Sequence, residues 1–68
     1  MADRLENRLR EARVAARWTQ AELAERVGVS RKTINTVENG VFVPSTVLAL
    51  KLALALDMSV EGLFILIE

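Results

Sequence analysis

The sequence contains no cysteine and no histidine. Without cysteine there is neither a disulfide framework nor a thiolate zinc site. Without histidine the commonest metal ligand and general base is missing. Carboxylates remain, but they mostly alternate with arginines as on solvated helix faces. No catalytic constellation results, so no enzyme, metal, cofactor or small-molecule ligand is expected. Net charge is also lacking: nine basic and nine acidic residues cancel, and the totals do not advertise a polyanionic partner. No long hydrophobic run occurs either. The longest, "VLALKLALAL", is about half a membrane span and contains Lys51. The opening "MADRLENRLR" is too charged to hold the apolar run of a signal peptide. The expected compartment is the cytoplasm, with no membrane partner.

What is present is a chain of 68 residues, 51% of them apolar. That length predicts one domain over 1–68. Such a chain buries only about 60% of the surface its unfolded form exposes. An apolar fraction slightly high for this size must fill the core or a contact surface. Charge is unevenly placed: residues 1–40 hold eight basic and six acidic groups, residues 41–68 one basic and three acidic. The basic half is where a nucleic-acid footprint would lie.

Periodicity predicts about five short helices and an all-α fold. Leu5, Leu9, Ala12 and Ala16 fall at helical spacing and predict a first helix from residue 3 to about 16. "TQAE" is a capping box, with Thr19 as N-cap and Glu22 reaching back, so a second helix opens there. Leu23, Ala24 and Val27 form its inner stripe, and Gly28 ends it as a left-handed C-cap. Ser30 caps a third helix that runs through Ile34 and Val37 to about Glu38. Asn39-Gly40 stops it. The leucines of "VLALKLALAL" alternate as in a strand, but the alanines between them are apolar as well. Leu and Ala are strong helix formers behind a Pro44-Ser45 entry, so this is a buried fourth helix. Leu48, Leu52 and Leu56 share the face expected to fill the core. Asp57-Met58 breaks it, Ser59 caps a fifth helix from Val60 to about Phe64, and "ILIE" extends that helix or forms a strand.

The stretch "VGVSRKTINTVENG" interrupts a good helix and restarts it with two adjacent cations. The "GVS" corner has the length of a helix-turn-helix, expected over about 19–38. Ala24 is small where the third helix must cross closely, and Gly28 permits the positive φ of the turn. Ile34 and Val37 anchor the third helix, which leaves Arg31, Lys32, Asn35 and Thr36 outside. Arg, Lys and Asn at an exposed helix start offer donors to phosphates and base edges.

"TQAELAERVGVSRKTINTVENG" resembles the XRE or Cro/cI-type helix-turn-helix family, and "VPSTVLALKLALALDMSVEGLF" resembles the second half of its short bacterial members. The likeness covers about residues 5–64. It implies a five-helix DNA-binding fold and transcriptional regulation, by a repressor that binds double-stranded DNA at a palindromic operator. By position it places Arg31, Lys32, Asn35 and Thr36 at base edges, Arg31 with two bonds to guanine. Thr19, Gln20, Ser30 and the backbone NH groups of Asn39 and Gly40 fall to the DNA backbone. Gln20 is also placed to steady a recognition residue, and Lys32 to meet phosphate. Arg13 and Glu38 match a buried ion pair between the first and third helices, and Trp18 a core residue.

The chain departs from the family pattern at three places. Arg17 stands where glycine is frequent, which implies another turn geometry or left-handed strain. Val41 replaces a frequent cation. Leu54, Ile65 and Ile67 are apolar where relatives often carry charge, which points to a partner. A lone helix-turn-helix reads few base pairs, so a homodimer is expected. Its candidate interface within residues 41–68 is Val47, Leu50, Leu54, Phe64, Ile65, Leu66 and Ile67, with strand pairing of the isoleucines to a two-fold mate as one form of the contact. The alternative is a protein-interaction module, such as an antitoxin or adaptor, on the same fold.

Overall fold

A computed structural model describes residues 4–68. Strand β1 (Arg4–Asn7) leads into α1 (Leu9–Ala15), α2 (Gln20–Val27), α3 (Arg31–Glu38), α4 (Thr46–Ala55) and α5 (Val60–Leu63), and β2 (Phe64–Ile67) closes the chain. The five helices surround one core, in which α2 packs on both α3 and α4. Leu9, Leu23, Ile34, Val37, Leu52 and Leu63 are fully buried at its centre, each large one contributing about 1.5–3 kcal/mol.

Local chemistry accounts for the helix ends. Thr19 Oγ1 accepts from the Glu22 NH at 3.1 Å while Glu22 Oε1 accepts from the Thr19 NH at 2.8 Å, a complete capping box. Ser30, Ser45 and Ser59 each accept from the third backbone NH beyond them, which satisfies one orphan donor per helix. Gly28 leaves α2 at φ 76°; a Cβ there would meet nothing within 4 Å, so the backbone conformation alone selects glycine. Arg17 adopts φ 63° and Asp57 φ 55°, so Arg17 carries the left-handed strain that glycine would avoid.

On α4, Leu48, Leu52 and Ala53 are buried and Leu56 packs against the core. The intervening leucines are not: Leu50 is 56% and Leu54 84% exposed. The strand-like alternation of leucine is thus carried on a helix with too much apolar surface for one face.

Two expectations are corrected at the chain ends. The first helix does not begin near residue 3; residues 4–7 form β1, and Asp3 lies outside the described residues. Asn7 explains the break. Its Oδ1 accepts from the Leu9 NH at 3.1 Å, and its Nδ2 donates to the Val37 carbonyl at 2.9 Å. The side chain thus starts α1 and ties β1 to α3. The tail is a strand, but it pairs antiparallel with β1 of its own chain, Arg4 opposite Ile67 and Asn7 opposite Phe64, rather than with a two-fold mate. Helix α5 stops at Leu63, and Phe64 enters the core at 9% exposure. It is therefore not a free interface residue.

No helix among the described residues is long and apolar enough to cross a membrane.

Candidate nucleic-acid interface

The face worth building up is that of α3. Ile34 and Val37 hold the helix on the core. Spacing of three to four residues then turns Arg31 and Lys32 to solvent and leaves Asn35 and Thr36 half-exposed, as an amphipathic helix requires. Lys32 makes no ion pair or hydrogen bond among the described residues, so its charge is unspent. Arg31 Nη1 donates to Gln20 Oε1 at 3.3 Å, leaving its other donors open.

Gln20 connects this face to the scaffold. Its Nε2 donates to Glu38 Oε1 at 3.1 Å, so one amide orients Arg31 on one side and binds the buried carboxylate on the other. Glu38 is the hub. Its side chain is 0% exposed, and Arg13 Nε approaches Oε2 to 2.6 Å while Arg13 Nη2 reaches Oε1 at 3.3 Å. Arg10 Nε adds a bond at 3.2 Å. Burial pushes the Glu38 carboxyl up, but hydrogen bonds from Arg13, Gln20 and Arg10 outweigh it, and the group sits below its ordinary 4.5. A carboxylate so surrounded stays ionised. Arg13 also donates to the Trp18 carbonyl at 2.9 Å, which joins α1, the following turn and α3. Trp18 itself is half-buried against the core, with the Arg26 guanidinium 4.1 Å above its ring.

The donors at the helix starts are partly occupied. Thr19 and Ser30 accept from backbone NH groups, which leaves Thr19 a hydroxyl proton to give. The NH groups of Asn39 and Gly40 are a correction: they donate to the Asn35 carbonyl at 3.1 Å and the Val37 carbonyl at 3.0 Å. At a helix C-terminus NH groups point back into the helix, so these two are not open to phosphate. The Asn39 side chain is engaged too, accepting from Arg10 at 2.9 Å and donating to Asn35 at 3.3 Å.

Arg10 and Asn7 were not picked out from sequence. Arg10 lies three residues before Arg13, on the same helix face, a spacing that signals a second partner for Glu38. Asn7 gave no such signal, because its contact is with a carbonyl thirty residues away.

The remaining candidates lie away from α3. Val47, Leu50 and Leu54 run along α4; Leu50 borders an apolar groove of about 560 Å³ with Leu5, Pro44, Val60 and Phe64. Leu54 instead opens toward the α2 end, beside Glu25, Arg26 and Lys51. On β2 Leu66 is 57% exposed, while Ile65 and Ile67 are half-buried.

Comparison with known proteins agrees with this geometry. A helix-turn-helix family profile matches residues 9–63. The chain is 41% identical over 64 residues to the HTH-type transcriptional regulator YgzD of Bacillus subtilis, covering 94% of this chain and 97% of that one. An HTH-type transcriptional regulator of Methanothermobacter thermautotrophicus is 49% identical over 61 residues, 88% of each. Among solved structures, the restriction-modification controller protein C.AhdI of Aeromonas hydrophila superposes with a TM-score of 0.76 at 42% identity, over 81% of this chain and 83% of that one. A putative DNA-binding protein from Bacteroides fragilis gives 0.80 at 27% identity, over 88% of this chain and 97% of that one. The family and fold are those of DNA-binding transcription regulators, which are not enzymes. The surface of α3, the capped α2–α3 corner and these likenesses agree: the chain belongs to the XRE-type helix-turn-helix family of DNA-binding transcriptional regulators.

Proposed function

We propose that the protein is a sequence-specific repressor that binds a palindromic operator as a homodimer, in the cytoplasm, with α3 in the major groove. The observation that carries this is Arg31, exposed on α3 yet oriented through Gln20 by the buried Glu38. A guanidinium held in this way loses less freedom on gripping guanine O6 and N7. Asn35 and Thr36 read neighbouring bases. Lys32 shares that edge and also meets phosphate, and Thr19, Gln20 and Ser30 fix the register on the backbone. Repression is the output that occupancy of a promoter produces without further parts.

The homodimer reading rests on the groove beside Leu50. It is apolar and open; Val47, 62% exposed, stands one turn before Leu50 on α4, and Leu66, 57% exposed, lies opposite Leu5 of the groove in the strand pair. Reading a palindrome requires that the two-fold mate covering it set the two copies of α3 about 34 Å apart, one turn of duplex.

Selection from random duplexes, followed by salt titration, tests the reading. Arg31→Ala should relax preference at one base pair per half-site by about 1–3 kcal/mol, and Lys32→Ala should weaken all duplexes alike and flatten the salt slope. Wild-type behaviour from both variants would remove α3 from the interface. A chain that retains no duplex at all would be a protein-binding module instead.

A further inference from the structure

Directly after α3 the chain exposes three consecutive apolar residues: Val41 at 79%, Phe42 at 46% and Val43 at 66%. A short domain rarely leaves such a run in water without a use. The loop is also held in place. Gly40 turns the backbone at φ 74°, and the Val41 and Phe42 NH groups both donate to the Thr36 carbonyl, at 3.0 and 3.2 Å. The loop is thereby folded back along α3.

The result is a notch of about 360 Å³ whose walls are Val41 and Phe42 on the loop and Ser30, Lys32, Thr33 and Thr36 on α3 and its cap. The threonine hydroxyls are engaged locally. Thr36 Oγ1 donates to the Thr33 carbonyl at 3.0 Å, and Thr33 Oγ1 shares a hydrogen bond with Ser30 at 3.0 Å. What the two threonines chiefly leave for a visitor is methyl surface. The notch is therefore mainly apolar, with the exposed Lys32 among its walls.

We propose that this notch is a thymine-reading site, in which Phe42 and Val41 receive the 5-methyl group of a thymine in the major groove. The inference rests on the DNA-binding reading of α3 given above and extends it to a residue pair outside the recognition helix. Among the base edges presented in that groove, the thymine methyl is the apolar feature. A duplex seated on Arg31 and Lys32 lies against the same walls, because Lys32 and Thr36 belong to both surfaces. The charge of Lys32 suits a polyanion. Phe42 and Val41 are thus specificity determinants for A·T pairs, beside the guanine preference supplied by Arg31.

The experiment replaces single thymines of a selected duplex by deoxyuridine, which removes the methyl and leaves every hydrogen-bonding group in place. At one or two positions per half-site, the uridine duplex should bind the wild type about three- to fivefold more weakly, the worth of one buried methyl. Phe42→Ala should bind the two duplexes alike at those positions, whereas Arg31→Ala and Val43→Ser should keep the preference. Equal binding of thymine and uridine duplexes by the wild type at every position overturns the proposal while leaving DNA binding intact. An undiminished preference in Phe42→Ala overturns it as well. Failure to bind any duplex overturns the α3 reading and this inference together.

Discussion

Glu38→Ala is the substitution whose cost follows most directly from the geometry. It removes one acceptor from three donors: Arg13 at 2.6 Å, Gln20 at 3.1 Å and Arg10 at 3.2 Å. Arg10, 53% exposed, contributes no more than about 0.5 kcal/mol. Arg13 dominates. Stranding one member of a buried pair costs about 3–5 kcal/mol. The guanidinium keeps 14% exposure and its bond to the Trp18 carbonyl, so the lower end, about 3 kcal/mol, applies. Arg13→Ala removes two bonds to the carboxylate and one to the Trp18 carbonyl, but it leaves Glu38 bonded to Gln20 and Arg10, so it should cost less, about 2 kcal/mol. Once Glu38 is gone, truncating Arg13 removes a charge that has lost its counter-charge and keeps only the Trp18 carbonyl. The double variant should therefore sit near the Glu38→Ala value, a coupling of about 2 kcal/mol.

A domain of this length has roughly 3–10 kcal/mol in all, so Glu38→Gln, which keeps the volume, accompanies the cycle. Urea unfolding followed by circular dichroism and Trp18 fluorescence gives the free energies. Additivity of the single variants within about 0.5 kcal/mol would refute the coupling. The same carboxylate sets an acid limit. Its folded pKa lies below the ordinary 4.5, so its contribution is complete above that value and is lost as pH falls through the folded pKa. Stability measured downward from pH 5 should decline less in Glu38→Gln than in the wild type; parallel declines would contradict that assignment.

Two further outcomes are expected. Leu50→Lys with Leu66→Lys alters side chains that are more than half exposed, so the chain should stay folded, sediment as a monomer and lose operator binding; a wild type that is monomeric while occupying its operator refutes the dimer. Arg17→Gly should raise stability by about 0.5–1 kcal/mol, the left-handed strain at φ 63° less the entropy glycine adds to the unfolded chain. A lower urea midpoint would show that Arg17 is not strained.

The helical middle of the molecule was legible because its signals are local. Thr19 with Glu22, Gly28, Ser30 and Ser45 act within a turn of where they stand, and a cap works whatever the rest of the chain does. The outward face of α3 follows from Ile34 and Val37 facing inward at helical spacing. The left-handed Arg17 was one of two alternatives its position left open.

Other features depend on residues that are distant in sequence and adjacent only after folding. Helical spacing from Leu5 to Leu9 is real, yet β1 forms because Phe64–Ile67 arrives beside it; pairing between chain ends leaves no periodic trace in either end. Phe64 looked like surplus surface until that strand pair carried it into the core. Arg10, Arg13 and Gln20 converge on Glu38 from two other helices. Composition names the charges, but burial of the carboxylate, and with it the strength of the network, exists only once α1, α2 and α3 enclose it. The thymine notch is of the same kind. Its apolar residues stand openly in the sequence, but they become a wall only because the loop after Gly40 bonds back to Thr36.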